Sequence, residues 1–292
     1  MTPAATSASS PPSPLTPGTW RLGELTVRRI GFGAMRLPAV DPDRAVAVLR
    51  RAVERGVNHI DTAAFYFSPR GSANELIHRA LAPYPEDLVI ATKVWPGRDA
   101  RGEWVWATPD QLRGQVEENL RQLGRDHLDL VNLRVPRSRA NASIAEHFGA
   151  LAELRAAGLV RHLGVSHVAP EQLAEARAIA PVVCVQNQYG AGAPEARHAF
   201  ADACGEQGIA FVPYFAIAGT GAEAGATDEP DERVRAVARA HGVSPARVRL
   251  AWTLHRGAHV LAIPGTGNPD HLDDNLAAGA LRLTPEEVAL LR

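Results

Sequence analysis

Positions 88–94 read LVIATKV, a run of seven residues in which only Thr92 and Lys93 are polar. A short run that is apolar throughout, without strict alternation, is typical of a parallel strand buried on both faces. The sequence therefore predicts a buried strand here, with a lysine next to its carboxyl end.

Similar short runs lie on both sides of this one. They are Ile30–Met35, His59–Ala63, Leu128–Arg134, His162–Ser166, Val183–Asn187, Ala210–Phe215 and Val260–Pro264. Stretches of helical periodicity separate many of them, at Asp43–Arg55, Pro109–Leu123, Ile144–Ala157, Pro170–Ile179 and Glu195–Gln207. Strands that alternate with helices indicate an α/β protein with a parallel sheet. Eight strands close most simply into a (β/α)8 TIM barrel.

The alternative architecture is a doubly wound open sheet. That fold usually places a G-x-G-x-x-G motif after its first strand, to hold a dinucleotide. Here residues 31–36 read GFGAMR, which breaks the spacing. The barrel is therefore favoured, and any dinucleotide must be held in another way.

The chain is expected to consist of a tail and one domain. Residues 1–18 are rich in Pro, Ser, Thr and Ala and lack the features of a secretory signal, so they predict a disordered tail. Residues 19–292 are expected to form the barrel, with an N-terminal β-hairpin over Trp20–Val27 that could plug its bottom. Two helical stretches, Glu232–His241 and Pro245–His255, precede the last strand, one more than a minimal barrel needs.

Composition narrows the possible partners. The formal net charge is -1, which gives no electrostatic reason to expect nucleic acid or a membrane surface as a partner. Two cysteines are expected to be reduced structural thiols, so we predict a cytoplasmic protein. Eleven histidines show no metal-ligand spacing, so no metal is predicted. A small-molecule partner is the remaining class, and the oligomeric state is left open.

The basic residues are unusually uneven, because Lys93 is the only lysine beside thirty arginines. A bias toward arginine explains the thirty arginines but not the single lysine. Lysine is a compact cation whose pKa moves on burial, whereas arginine is a wide planar fork that stays protonated. A chance survivor would more naturally lie on the surface than in a buried strand. We therefore interpret Lys93 as a site residue.

Polar residues at the carboxyl ends of barrel strands are candidates for chemistry, because barrel active sites are built there. Asp61, Lys93 and Arg134 end three consecutive predicted strands, and Tyr66 follows the first of them. A neighbouring lysine is expected to lower the phenol pKa from its ordinary value of about 10. Tyr66 could then act as a general acid toward a carbonyl oxygen while a cofactor supplies hydride.

The sequence resembles the aldo-keto reductase superfamily from Trp20 onward. The matching stretches are NHIDTAAFY at 58–66, IATK at 90–93, LGVS at 163–166, VQN at 185–187 and IPGT at 263–266 through Asn275. The resemblance implies a catalytic tetrad that includes Asp61, Tyr66 as proton donor and Lys93.

The fourth tetrad member departs from the family pattern. It is usually histidine, and here the aligned residue is Arg134. The sequence around it, DLVNLR at 129–134, most resembles the pyridoxal-reductase-like branch of the family. Arginine donates hydrogen bonds but cannot relay a proton, so Arg134 is expected to stabilise a developing alkoxide or to hold an anionic substituent. A second departure is Phe67, where the family often has glycine, and this narrows the space beside the acid.

The resemblance also implies a site for NADPH, with NADH as a possible substitute. The nicotinamide carboxamide is expected to lie against Ser166, His167 and Gln186, with its ring on Tyr214. The implied contacts to the rest of the cofactor come from Gly33, Ala34, Met35, Asp61, Ile263, Gly265, Thr266, His271 and Asn275. Many relatives carry Lys and Arg where Gly265 and His271 stand, which weakens the case for strict NADPH use. Tryptophans at positions 95, 104 and 106 are expected to line a pocket for a flat or aromatic substrate such as pyridoxal.

Three functions remain open from the sequence. The first is an NADP-dependent reductase of an aldehyde or ketone. The second is a nucleotide-sensing regulatory protein on the same fold, since fold alone does not fix function. The third is a non-redox biosynthetic enzyme for dehydration or cyclisation, suggested by Arg134 and Phe67.

Overall fold

The computed structural model describes residues 18–99, 101–217 and 231–292. The predicted tail lies outside these residues except for Gly18. The strands are β1 Thr19–Leu22, β2 Leu25–Arg28, β3 Phe32–Gly33, β4 His59–Asp61, β5 Phe67–Ser68, β6 Gly71–Ser72, β7 Val89–Val94, β8 Pro96–Arg98, β9 Trp104–Trp106, β10 Leu128–Arg134, β11 Val160–Ser166, β12 Val182–Gln186 and β13 Ala210–Phe211. The helices are α1 Pro42–Glu54, α2 Ala73–Leu81, α3 Leu112–Leu123, α4 Ala145–Ala156, α5 Pro170–Ile179, α6 Glu195–Glu206, α7 Glu232–His241, α8 Pro245–His255, α9 Pro269–Ala277 and α10 Pro285–Leu290.

A curled parallel sheet forms the centre of the molecule. Its strand order is β13-β12-β11-β10-β7-β4-β3, which follows chain order apart from the small hairpins. The segment after α8 bridges the two edges of this sheet, through Phe211 to Val260 on one side and Ile30 to Ala262 on the other. The predicted (β/α)8 barrel is confirmed, and residues 260–264 take the place of its eighth strand.

Alternation along the strands separates two cores. Val89, Ala91 and Leu130 point into the barrel, and they pack there with Leu22 and Val27 of the β1–β2 hairpin. The side chains between them point outward and pack against the helices. The N-terminal hairpin therefore covers one end of the barrel, as expected from the sequence.

Local sequence signals explain several helix boundaries. The Asp41 side chain accepts a hydrogen bond from the backbone amide of Arg44 at the start of α1, followed by Pro42 in the first turn. Ser72 and Glu75 form a reciprocal capping box at α2. That helix is an addition to the predicted ones, although the capping box was present in the sequence.

Two antiparallel hairpins were not anticipated from the sequence. β5 pairs with β6 directly after Tyr66, and β8 pairs with β9 directly after the strand that carries Lys93. Both hairpins extend from the carboxyl ends of barrel strands. They therefore belong to the face of the barrel where an active site is expected.

Two further features bear on the sequence predictions. In the described residues, no helix is long and apolar enough to cross a membrane. Cys184 and Cys204 are both free and buried. Burial raises the pKa of the Cys204 thiol to about 12, and it raises the pKa of Cys184 further. Both side chains therefore act as core residues.

His59 is a buried histidine at the opposite end of the barrel from the predicted site. It begins β4, and a Cβ atom built on Gly31 would lie only 2.2 Å from its Nε2 atom. Burial lowers the pKa of His59 from 6.5 to about 4. Because the folded pKa lies below the unfolded value, this group contributes stability above about pH 6.5 and loses it as the pH falls toward 4.

We predict that His59 makes the fold acid-sensitive. The free energy of unfolding should fall by about 3 kcal/mol between pH 6.5 and 4 through this group alone, since one pKa unit corresponds to about 1.4 kcal/mol. Urea unfolding of the wild type and of His59→Leu across this range measures the effect. The variant should show a shallower pH dependence, and equal slopes for the two proteins would contradict the prediction.

Candidate active site

The strand registers bring polar side chains together at one end of the barrel. Asp61 ends β4, Lys93 lies one residue before the end of β7, and Gln186 ends β12. Ser166 is the register partner of both Arg134 and Gln186 on the neighbouring strands. The carboxyl ends of parallel barrel strands lie at the same rim of the barrel, so residues far apart in the chain meet there.

Asp61 and Lys93 form a buried ion pair at the centre of this rim. Nζ of Lys93 lies 2.8 Å from Oδ1 and 2.7 Å from Oδ2 of Asp61, and it donates a third hydrogen bond of 3.0 Å to the carbonyl oxygen of Thr62. Nε2 of Gln186 donates to Oδ1 of Asp61 at 2.6 Å. The pair is thus fully hydrogen-bonded, which a buried ion pair requires to be tolerated.

The neighbours of Lys93 keep it protonated. Burial alone lowers the pKa of this ammonium group, but the Asp61 carboxylate and the Tyr66 hydroxyl outweigh that effect and raise the pKa above its ordinary value. The site therefore holds a fixed positive charge at neutral pH.

Tyr66 lies directly over this charge. Nζ of Lys93 is 4.9 Å from the centroid of its ring. Burial raises the pKa of the Tyr66 hydroxyl, and this outweighs the opposing effects of Lys93 and Arg134. The expected lowering of its pKa is therefore not found. Desolvation of the phenolate is the larger effect, so the phenol stays protonated.

Arg134 reaches the same cavity from the end of β10. Its guanidinium carbon lies 5.5 Å from the centroid of the Tyr214 ring. The charge of Arg134 also acts on Tyr66, where it opposes the effect of burial on the pKa, from the position where the tetrad pattern has histidine.

A cavity of about 750 Å³ opens above these residues. It is lined by twelve of the residues expected from the sequence: Gly33, Met35, Asp61, Tyr66, Lys93, Trp104, Trp106, Arg134, Gln186, Tyr214, Ile263 and Gly265. It is also lined by residues that the sequence analysis did not single out, among them Phe65, Pro96, Arg137, Ser138 and Phe215. Phe65 stands beside the tetrad tyrosine inside the resembling motif, which was the available signal for it.

Two expected pocket residues lie elsewhere. Trp95 is 1% exposed, belongs to the core between barrel and helices, and stacks on His147 with ring centroids 3.9 Å apart. Its φ of 93° turns it away from the barrel interior. Phe67 lies 45% exposed on β5, outside the residues that line the cavity. Trp95 directly follows β7 and Phe67 lies on a hairpin beyond β4, so the alternation of the barrel strands does not give the direction of either side chain.

Two of the expected nicotinamide contacts, Ser166 and Gln186, each carry a buried polar atom that lacks a hydrogen-bond partner in the described part of the chain. Oγ of Ser166 and Oε1 of Gln186 are buried without a hydrogen-bond partner among the described residues. His167 lies next to them, and its Nδ1 atom is 3.1 Å from the carbonyl oxygen of Val135, to which it can only donate. Burial and the nearby Arg134 lower the pKa of His167, so its ring is neutral at pH 7 and its Nε2 is an acceptor.

The loop that follows residues 260–264 makes close backbone contacts with the segment at Gly33. A Cβ atom on Gly265 would lie 2.1 Å from the carbonyl oxygen of Gly33, so these two segments touch through backbone alone. Oγ1 of Thr266 accepts a hydrogen bond of 3.0 Å from the amide of Asn268, whose side chain caps α9. The position where many relatives carry lysine is thus one where no side chain fits without moving a strand.

The remaining expected cofactor residues do not line the cavity itself. Ala34 is buried behind Gly33, His271 is exposed on α9, and Asn275 is buried on the same helix. In the described residues, no group of three or more His, Cys, Asp or Glu side chains could hold a metal ion.

The ion pair gives a prediction for stability. Lys93→Met leaves the Asp61 carboxylate buried without its counter-ion, so the free energy of unfolding should fall by about 3–5 kcal/mol. The double variant Lys93→Met/Asp61→Leu should be more stable than this single variant, because no charge remains buried. Urea unfolding of the wild type, Lys93→Met, Asp61→Leu and the double variant measures this, and a double variant that loses the sum of both single effects would refute it.

Comparisons with known proteins agree with this geometry. The Aldo/keto reductase family profile matches residues 29–292. Pyridoxine 4-dehydrogenase of Escherichia coli (strain K12) is 42% identical over 289 residues, which cover 95% of this chain and 98% of that protein.

Solved structures give the same result. A thermostable aldo-keto reductase in complex with the inhibitor epalrestat has a TM-score of 0.78 at 29% identity, over 94% of this chain and 97% of the other. An aldo/keto reductase from Klebsiella pneumoniae in complex with NADP and acetate has a TM-score of 0.75 at 27% identity, over 94% and 93%. The match of the family profile over most of the chain agrees with the barrel and with the buried Lys93–Asp61 pair at its rim: this chain belongs to the aldo/keto reductase family.

Proposed function

We propose that this protein is an NADPH-dependent reductase that converts an aromatic aldehyde or ketone to its alcohol. The observation that carries this proposal is the placement of Tyr66 over the buried Lys93–Asp61 pair, at the floor of a largely apolar cavity. A phenol beside a fixed cation can give up its proton at a defined place, which is what reduction of a carbonyl oxygen needs.

The proposed reaction divides the work between cofactor and protein. The reduced nicotinamide supplies hydride to the carbonyl carbon when it is bound. The Tyr66 hydroxyl donates its proton to the carbonyl oxygen, so the product is an alcohol and the tyrosine is left as a phenolate. Lys93 stabilises that phenolate by its charge, and Asp61 holds the ammonium group in place.

The raised pKa of Tyr66 suits this order of events. A phenol that stays protonated before the reaction is ready to act as an acid, and its phenolate is formed only as the substrate oxygen becomes basic. Lys93 and Arg134 both favour the phenolate, so the cost of its formation is reduced at the moment of transfer.

Arg134 is assigned an electrostatic role in this mechanism. Its guanidinium group only donates hydrogen bonds and stays charged, so it stabilises negative charge on the substrate oxygen or on a nearby substituent. It does not return a proton to Tyr66. Reprotonation of Tyr66 then comes from water that enters after the product leaves.

The described residues fit a nicotinamide cofactor. A carboxamide needs one hydrogen-bond donor and one acceptor, and the orphaned Ser166 hydroxyl and Gln186 carbonyl oxygen offer these two groups. Tyr214 lines the cavity as a flat neighbour for the ring. The helix dipole at the amino end of α9 supports a phosphate beside the loop at 265–268, and Asp270 in the first turn opposes this effect.

The substrate class rests on the cavity and on one relative. Aromatic and other apolar residues make up most of the cavity lining. The relative named as a pyridoxine 4-dehydrogenase acts on a flat heteroaromatic alcohol by its name, which supports pyridoxal or a similar aryl carbonyl here. We place the enzyme in the cytoplasm, which suits two buried free thiols.

Tyr66→Phe tests the proposed acid. The variant should bind NADPH as the wild type does, because the hydroxyl is not among the proposed cofactor contacts. Its kcat with pyridoxal and with benzaldehyde should fall by about 10²–10⁴-fold, the usual contribution of a general acid. Loss of reduced-nicotinamide absorbance measures turnover, and cofactor fluorescence measures binding. Tight NADPH binding with no turnover of any carbonyl by the wild type would instead favour a nucleotide sensor or a non-redox enzyme.

Cofactor selectivity gives a second test. A lysine at Gly265 would have to displace the backbone of Gly33, and His271 on α9 is our candidate hydrogen-bond donor to the 2′-phosphate. We expect NADPH to bind more tightly than NADH by less than about tenfold, or about 1.4 kcal/mol. Fluorescence titration of both cofactors measures the ratio.

Variants at the same loop sharpen this test. His271→Ala should bring the two dissociation constants together. Gly265→Lys should weaken both cofactors, because its Cβ atom must displace Gly33. Either of two results would contradict the interpretation that this loop lacks room for a lysine that binds the 2′-phosphate. One is a preference for NADPH of a hundredfold or more in the wild type, and the other is tighter NADPH binding by Gly265→Lys.

A further inference from the structure

Large apolar side chains are exposed mainly at the mouth of the cavity. In the described part of the chain, Trp104 is 49% exposed and Trp106 is 50% exposed, and Phe67, Val105 and Met35 lie in the same region of strand ends and hairpins. Exposing two indole rings to water is unfavourable unless something covers them in use.

Both tryptophans stand on the cavity side of the β8–β9 hairpin. Trp104 pairs with Arg98 and Trp106 pairs with Pro96, and residues two apart on a strand share one face. Pro96, Trp104 and Trp106 all line the cavity, whereas Val105 between them does not. With Phe65, which also lines the cavity, these two indoles form what we call the aromatic shelf.

Contacts within the hairpin hold the side chains of the shelf in place. The rings of Trp104 and Trp106 lie within 9° of parallel, with centroids 6.3 Å apart. The Arg98 guanidinium carbon is 3.8 Å from the centroid of Trp104, and its Nη1 donates to the carbonyl oxygen of Gly102 at 2.7 Å. A surface whose side chains are already ordered loses little entropy when it binds.

The shelf is continuous with the proposed acid. The ring of Phe65 meets Tyr66 edge to face with centroids 5.1 Å apart, and it meets Trp104 in a second edge contact at 5.6 Å. A substrate with one ring can reach Phe65 from a carbonyl held at Tyr66. The indoles beyond Phe65 would then stay in water, so a single ring does not account for them.

We propose that the aromatic shelf is a second substrate subsite, and that the preferred substrates are aldehydes or ketones whose carbonyl is attached to two linked or fused aromatic rings. The carbonyl-bearing ring lies beside Tyr66 and Phe65, and the outer ring lies on Trp104 and Trp106. This inference rests on the proposed carbonyl reduction, because it places the reacting group at Tyr66.

Paired substrates test the subsite directly. The wild type should reduce 4-phenylbenzaldehyde and 2-naphthaldehyde with a kcat/KM at least about tenfold above that of benzaldehyde, since burying a second ring adds both apolar area and ring contacts. In Trp104→Ala/Trp106→Ala this two-ring to one-ring ratio should fall to about one, mainly through KM. Val105→Ala is the matched control, because its side chain is 41% exposed on the same strand but faces away. It should keep the wild-type ratio.

Binding without turnover separates this inference from the proposed function. Calorimetry with the NADP-loaded enzyme should show biphenyl-4-carboxylate binding at least about tenfold more tightly than benzoate, and the double variant should lose that difference. If this holds while no carbonyl is reduced, the shelf stands and the proposed reaction fails.

Two outcomes would overturn the subsite. The first is turnover by the wild type with the same two-ring to one-ring ratio in the double variant. The second is a dimer in light-scattering measurements that the double variant loses while the substrate ratio is unchanged. In that case the shelf would be an interface between two copies of the chain.

Discussion

The ion pair between Lys93 and Asp61 is the constraint on which the active site depends. An ammonium group inside a barrel is costly, and it is tolerated because two carboxylate oxygens and the Thr62 carbonyl accept all three of its hydrogen bonds. The partners come from neighbouring strands, so the pair forms only when the sheet has curled in the correct register. The barrel therefore positions the charge of Lys93 next to the ring of Tyr66, where it favours the phenolate form of that residue.

Arg134 changes how a proton can move at this site without removing the acid. A neutral histidine could exchange a proton with Tyr66, whereas a guanidinium group contributes only charge. Burial keeps the phenol protonated, and two cations stand ready to stabilise its phenolate. In the mechanism that we propose, the site makes a single proton transfer to the substrate, and Tyr66 is restored from water afterwards.

The two sides of the cavity are built by opposite means. On the proposed cofactor side the backbone of Gly33 meets that of Gly265 with no room for side chains. On the substrate side the β8–β9 hairpin places large indoles at the mouth. A polar, charged cofactor and a flat apolar substrate would each meet a surface of matching character.

The sequence by itself determined the barrel, and it predicted that Asp61, Tyr66, Lys93 and Arg134 would meet at its rim, because strand periodicity and the solitary lysine are local signals. It did not determine which way a side chain points after a strand ends. Trp95 turned into the core through a left-handed backbone, while Trp104 and Trp106 reached the cavity through a hairpin whose pairing has no periodic signature. Nor did it predict the direction of the pKa shift of Tyr66, since desolvation depends on everything packed around a group. Those features follow from contacts between distant segments, which only the tertiary structure decided.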